Sequence, residues 1–251
     1  MPFLWKQSPN LKWAPKATIN PNDRLNGEMI KKNYDDIKRS FEDVTLINLI
    51  DKKGTQKKMG EYFDKMHNQV QEPNFILIWF DFHAECAKMK YENLARLLDM
   101  IGKEIDNYGY FHMETQNSHT TERRVSKKNA QKGIFRTNCM DCLDRTNVVQ
   151  SVIGRQLLLS WLVKLGIHYK NRGVTAFEKL SSDSLEEIFR YQWTQNADAV
   201  SILYSGTPAL KTDFTATGKR TYKGALKDGE SAVKRFFLGN FYDNKKQVQS
   251  G

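Results

Sequence analysis

The spacing of apolar residues along this chain changes period several times, and each change marks an expected element. Residues 44-VTLINLI-50 form a β-branched, apolar run closed by the turn-like DKKGTQ, which predicts a strand. A helix is expected from about Lys57 to Gln69. It is followed by 75-FILIWFDF-82, apolar on both faces, the pattern of a central strand covered by helices on both sides. Within residues 90–105, Leu94, Leu97, Leu98, Ile101 and Ile105 recur at helical spacing, so an amphipathic helix packs that stripe on the core. Residues 109–113 (GYFHM) read as another strand, 114–132 as a polar, basic loop or short hairpin, and 133-GIFR-136 as a short strand. A long helix is expected from Asn147 to about Leu165, and two more near 184–204 and 222–239. The first thirty residues hold four of the 6 prolines together with Asn20, Asn22, Asn26 and Gly27, and read as extended loop. Strands alternating with helices predict an α/β fold with a central β-sheet flanked by helices.

Composition narrows the possible functions. The chain has 251 residues, 39% of them hydrophobic, enough to bury a substantial core as one large domain or two small ones. A formal charge of +10 points to an anionic partner: a nucleic acid, an anionic membrane surface or a phosphorylated substrate. With 3 cysteines (Cys86, Cys139, Cys142) and no Asn-x-Ser/Thr sequon, a secreted disulfide framework is not expected. The longest apolar run, 75-FILIWF-80, is too short to cross a bilayer, and a soluble, cytosol-facing protein in a reducing compartment is expected.

The candidate chemistry sits in 138-NCMDCLDRTNVVQS-151. A cysteine-dependent phosphomonoesterase needs a thiolate at the floor of a pocket, backbone N–H groups turned inward around the phosphate oxygens, and a guanidinium to close the cradle. Cys139 and Arg145, with five residues between them, could meet that need if Met140, Asp141, Cys142, Leu143 and Asp144 wrap a phosphate. A helix opening near Thr146 would aim its positive dipole end at the same place, and the Thr146 hydroxyl could hydrogen-bond the thiolate. Arginine grips two oxygens in a planar fork that lysine cannot reproduce. The bare spacing is a weak signal, because at ordinary composition each cysteine has roughly a one-in-twenty chance of an arginine six positions on. The rival reading is zinc: Cys139-x2-Cys142 has zinc-knuckle spacing, and 83-HAEC-86 supplies His83 and Cys86. The acidity of Asp141 and Asp144 argues against a redox pair and is also awkward for phosphate, unless one is protonated or both face basic groups. Spacing alone leaves the choice open.

The string 136-RTNCMDCLDRTN-147 resembles the signature of the Sac-domain phosphoinositide phosphatases, and 79-WFDFHAEC-86 is similar to that family's phenylalanine-aspartate-phenylalanine-histidine segment. Residues 193-WTQNADAVSILYSGTPALKTDFTATGKRT-221 and 2-PFLWKQSPNLKWAP-15 resemble further family blocks, all in family order and together covering nearly the whole chain. The resemblance implies hydrolysis of the headgroup monophosphate of phosphatidylinositol 4-phosphate, and also of the 3-phosphate, through a phosphocysteine intermediate and without a metal or other cofactor. It implies Cys139 as nucleophile, Arg145 as phosphate clamp, and Asp141 or Asp144 as the acid that protonates the leaving oxygen. Asp81 and His83 are lesser candidates, with a capped strand end and a core histidine as the plainer account of them. Lys211, Lys219 and Arg220 are expected to hold the headgroup or an anionic membrane. Cys142 is either a small buried filler or a thiol able to trap oxidised Cys139.

Within that family the membrane-anchored phosphatases of the endoplasmic reticulum and Golgi are the nearest in pattern, so the cytoplasmic face of those membranes is the expected location, with peripheral contact. The resemblance treats residues 1–251 as a partial Sac-type catalytic core, matching neither the family's N-terminal subdomain nor its anchor. Pro208 and Ala216 stand where the family pattern has glycine and arginine. A phosphoinositide-binding module without turnover is the alternative from another class.

Overall fold

The computed structural model describes residues 1–8, 11–13, 15–117, 123–166, 182–210 and 222–241. Its elements in chain order are β1 (Trp5–Lys6), β2 (Thr18–Ile19), α1 (Asp23–Lys38), β3 (Asp43–Asn48), α2 (Lys57–Val70), β4 (Phe75–Trp79), α3 (Phe82–Glu85), α4 (Leu94–Tyr108), β5 (His112–Asn117), β6 (Arg123–Asn129), β7 (Gly133–Asn138), α5 (Asp144–Lys164), α6 (Asp183–Ser205) and α7 (Tyr222–Phe241). They form two compact units. The first comprises residues 1–4, 20–52 and 57–138, and the second residues 5–19, 53–56 and 139–251. The architecture is α/β, with helices around a small parallel sheet. Among the described residues no helix is long and apolar enough to cross a membrane.

The first unit is built on a three-stranded parallel sheet in the order β4-β3-β7, with Asn48 opposite both Trp79 and Asn138. Parallel pairing sets the carboxyl ends of all three strands on one edge. Val44, Leu46 and Ile47 are fully buried, as a strand covered on both faces requires. The central strand is therefore β3. The 75–82 run, expected at the centre, supplies a five-residue β4 at the sheet's edge with Ile76 44% exposed, and then turns into α3. A continuous apolar run reports burial of side chains and not the number of neighbouring strands, which is why the pattern misplaced it.

The α4 stripe behaves as its spacing predicts, with Leu94, Leu97, Leu98, Ile101 and Ile105 all buried, each worth ~1.5–3 kcal/mol of gross transfer free energy. The asparagine-rich segment read as loop instead starts helix α1. Asn22 caps it, its side chain accepting from Leu25 N–H at 3.0 Å, and Asn26 lies buried within the first turns, its Nδ2 donating to Asn20 O (2.8 Å) and Tyr62 Oη (2.6 Å). Ile30 and Tyr34 are the buried apolar residues of α1, with Leu25, Met29 and Ile37 partly buried beside them. Tyr34 stacks on Phe75 with ring centroids 4.1 Å apart. Gly60 of α2 sits against the Trp79 ring, where a Cβ would collide with the indole, while Trp79 Nε1 donates to Ile50 O at 2.8 Å. The expected 109–113 strand lies three residues later as β5. It pairs with β6 in an antiparallel hairpin that takes up much of the polar 114–132 stretch.

In the second unit, α5 and α6 meet through a buried ion pair. Arg155 Nη1 and Nη2 reach Glu186 Oε2 and Oε1 at 2.6 and 2.8 Å, and Arg190 Nε donates to the same carboxylate. The Arg155 guanidinium lies 4.6 Å from the Phe189 ring centroid, and Leu159 and Leu162 pack with Leu158, Leu185 and Phe189 beside it. Helix α6 ends at Gly206, whose φ of 73° is the left-handed conformation a helix stop requires. Residues 11–13 lie against α7: Leu11 N–H donates to Asn240 Oδ1 at 3.0 Å and Trp13 meets Phe236 at 4.6 Å between centroids.

Candidate functional site

Strand β7 delivers the chain to the 139–143 loop, and α5 begins at Asp144, three residues earlier than expected. The end of β7 is fixed by two bonds in the first unit. Leu49 N–H donates to Asn138 O (2.8 Å), and Asn138 Nδ2 donates to Asn48 Oδ1 (3.0 Å). Cys139 is buried at 1% exposure. Its Sγ accepts from Cys142 N–H at 3.1 Å and from the Thr146 hydroxyl at 3.6 Å, and its thiol faces Asp141 Oδ1 at 3.3 Å. The loop closes on itself, since Cys139 N–H donates to Cys142 Sγ (3.4 Å) and Leu143 N–H to Asp141 Oδ1 (3.2 Å). Cys142 has φ 56°, in the left-handed region that a side-chain-bearing residue seldom adopts, and that twist turns its N–H toward Cys139. Met140 is half-buried, Leu143 and Thr146 are buried, and Asp141 is exposed.

The two thiols are shifted in opposite directions. Side-chain contact with the Cys142 sulfur, then burial and the Asp141 carboxylate, push the Cys139 thiol well above the ordinary thiol range, while Arg145 pulls the other way. The same side-chain contact brings Cys142 down to about 6. Both shifts favour the proton on Cys139 over Cys142.

Arg145, in the first turn of α5, directs Nη1 and Nη2 to Gln56 Oε1 at 3.3 and 3.4 Å. Leu143, at the N-cap position of α5, supplies no side-chain cap. Asp144 is engaged at both oxygens: Oδ1 accepts from Leu210 N–H (2.7 Å) and Oδ2 from Arg235 Nη1 (2.9 Å). Asn147 Nδ2 donates to Trp193 O and its Oδ1 accepts from Asn196.

Cys139, Asp141, Cys142, Asp144, Arg145 and Thr146 are thus gathered in one loop and helix start. Asp81 and His83 lie in the first unit with partners of their own. Asp81 caps α3, accepting from Ala84 N–H (3.0 Å) and Lys52 N–H (2.9 Å), and His83 Nδ1 contacts Asp51 Oδ1 at 2.8 Å. His83 is exposed, so it is not the core histidine its position after an apolar strand suggested. Lys211, Lys219, Arg220 and Ala216 lie outside the described residues. Gln56, Arg235, Ser201 and Thr207 were not expected from the sequence. They lie 89, 91, 34 and 28 residues from the groups they meet, so no local spacing could have revealed them. Among the described residues no group of three or more His, Cys, Asp or Glu side chains is arranged to hold a metal ion.

Residues 1–87 match the SacI homology domain family (Syja_N). Over 248 residues, 98% of this chain, the sequence is 40% identical to a phosphatidylinositol-3-phosphatase SAC1 of Drosophila melanogaster, of which it covers 40%. It is 36% identical over 250 residues to the phosphatidylinositol-3-phosphatase SAC1 of Saccharomyces cerevisiae, covering 38% of it. It is 34% identical over 247 residues to the phosphoinositide phosphatase SAC6 of Arabidopsis thaliana, covering 39%. The chain spans about two-fifths of the length of the curated relatives it matches. The similarity to these Sac1-type phosphatases runs over 98% of the chain, through the loop, the helix behind it and the segments on either side.

Proposed function

We propose that this chain carries the phosphatase centre of a phosphoinositide phosphatase, with the 139–145 loop as its phosphate-binding loop. The reading rests on one observation: a buried cysteine at the carboxyl end of a parallel strand, encircled by its own loop, with an arginine in the first turn of the helix that follows. Cys139 attacks the phosphorus and the inositol oxygen leaves, giving a phosphocysteine that water then hydrolyses. Arg145 stabilises the charge spread over the transferring phosphoryl oxygens, and the N-terminal end of α5 favours the same anion. Asp141, 3.3 Å from Cys139 Sγ, takes the thiol proton and returns it to the leaving oxygen. Both Asp144 oxygens are occupied, which leaves Asp141 as the acid of choice. The substrate is the headgroup monophosphate at position 4 or 3 of a phosphatidylinositol in an anionic membrane at the cytoplasmic face of the endoplasmic reticulum or Golgi. Contact is peripheral, and Lys211, Lys219 and Arg220 meet the headgroup region.

The test is phosphate release from vesicles containing phosphatidylinositol 4-phosphate or 3-phosphate, with and without a chelator. Cys139→Ser abolishes release. Cys142→Ser retains most of it, because in this reading Cys142 is neither the nucleophile nor the acid. Equal loss in the two variants sinks the assignment. Headgroup-dependent vesicle binding without release would make this a phosphoinositide-binding module.

A further inference from the structure

The pairing of Asp144 bears on how the loop tolerates two acids. Arg235, on α7, uses its guanidinium fork on three parts of the second unit at once. Nε donates to Thr207 Oγ1 (2.9 Å), Nη2 to Ser201 Oγ (2.8 Å) and Pro208 O (3.0 Å), and Nη1 to Asp144 Oδ2 (2.9 Å). Its side chain is 15% exposed and that of Asp144 17%, so the pair is largely shielded from water and weakly screened by salt. Asp144 precedes Arg145 directly, and its other oxygen holds Leu210 N–H. A carboxylate in the first turn of α5 would by itself cancel the positive field that a helix start offers an anion.

We propose that Arg235 is a positioning residue for the phosphate loop: through Asp144 it fixes the first turn of α5, which carries Arg145, and neutralises the one loop carboxylate that does no chemistry. This rests on the phosphatase reading. Two effects are combined, and they separate experimentally. Loss of Arg235 lets the turn shift and leaves an unpaired, half-shielded acid beside the phosphate. Loss of Asp144 as well removes the acid.

The experiment compares wild type, Arg235→Gln, Arg235→Lys, Asp144→Asn and the double variant Arg235→Gln/Asp144→Asn in the full chain, by turnover of phosphatidylinositol 4-phosphate vesicles. Displacements of about 1 Å cost on the order of a hundredfold in positioned catalysis, so Arg235→Gln is expected to lower kcat by about 10- to 100-fold. Arg235→Lys keeps the charge without the fork and is expected to fall in between. The double variant is expected to exceed Arg235→Gln in kcat by severalfold, a rescue that a purely structural tie among Ser201, Thr207 and Pro208 would not produce. A folded Arg235→Gln or Arg235→Lys protein with kcat within twofold of wild type overturns the proposal, as does a double variant no better than Arg235→Gln. Where Arg235→Gln does not fold, Arg235→Lys carries the test. No phosphate release from wild type would count against the phosphatase reading itself. Hydrogen exchange at residues 143–147 then still decides the clamp: faster exchange in the Arg235 variants supports it and unchanged exchange refutes it.

Discussion

Replacing Glu186 by alanine would remove the carboxylate that pairs with a buried guanidinium. Glu186 is 4% exposed and accepts from Arg155 at 2.6 and 2.8 Å and also from Arg190. Arg155 is 8% exposed and lies over the Phe189 ring, so its charge cannot move into water without leaving that stack. Breaking a buried pair from one side costs about 3–5 kcal/mol. In a chain of this size that corresponds to a Tm lowered by roughly 6–20 °C, at about 2–4 °C per kcal/mol. Substituting both partners, as Arg155→Met/Glu186→Leu, removes the stranded charge and is expected to recover most of the loss. The assay is urea unfolding at fixed pH, with differential scanning calorimetry as a second probe and wild type and the double variant run alongside. Glu186→Ala within about 1 kcal/mol of wild type, the level of an exposed pair, would refute the view that α5 is held on α6 by a desolvated ion pair. A double variant as unstable as the single one would show that the cost does not come from the charge left behind on Arg155.

Three other predictions follow from the same geometry. Iodoacetamide labelling followed by mass spectrometry should modify Cys142 with a pH midpoint near the value of about 6 set by its bond with Cys139, leaving Cys139 unmodified below pH 8, and labelling of Cys139 first would reverse the proton assignment. His67, half-buried with Nδ1 3.0 Å from Tyr34 Oη, has its pKa lowered by burial, against a smaller opposing pull from Asp64. The folded chain then holds that proton less readily than the unfolded one, so the stabilisation is complete above pH 6.5 and is lost as pH falls below it. His67→Gln should flatten the wild-type decline in urea midpoint between pH 7.5 and 5.5, and parallel declines in the two proteins would count against it. Gly60→Ala would normally stabilise a helix interior by up to about 1 kcal/mol, but against Trp79 it is expected to cost about 1–3 kcal/mol, the sign reverting in a Trp79→Leu background.

The sequence was most legible where one physical constraint acts at short range. The α4 stripe, the strand–loop–helix order around Cys139 and the caution over an acidic loop could all be read from neighbouring residues. Helix α1 escaped because Asn22 and Asn26 satisfy a cap and a buried hydrogen-bond site, tasks that look like loop chemistry when apolar residues are few. The place of β4 escaped because strand order depends on which chains pair, and side-chain polarity does not encode that. The partners of Arg145 and Asp144 escaped because Gln56 and Arg235 lie 89 and 91 residues away.

That last separation has a consequence in time. Asp144 emerges during synthesis long before Arg235, 91 residues further along the chain, and translation at ~5–20 residues per second leaves an interval of roughly 5–18 s in which the carboxylate has no guanidinium. A nascent chain stalled before α7 would present the loop cysteine and its arginine with the neighbouring acid still uncompensated. The Asp144–Arg235 pair is completed only when α7 arrives, so nascent chains stalled before α7 should differ in anion binding from chains that include it, even after α5 and α6 have formed.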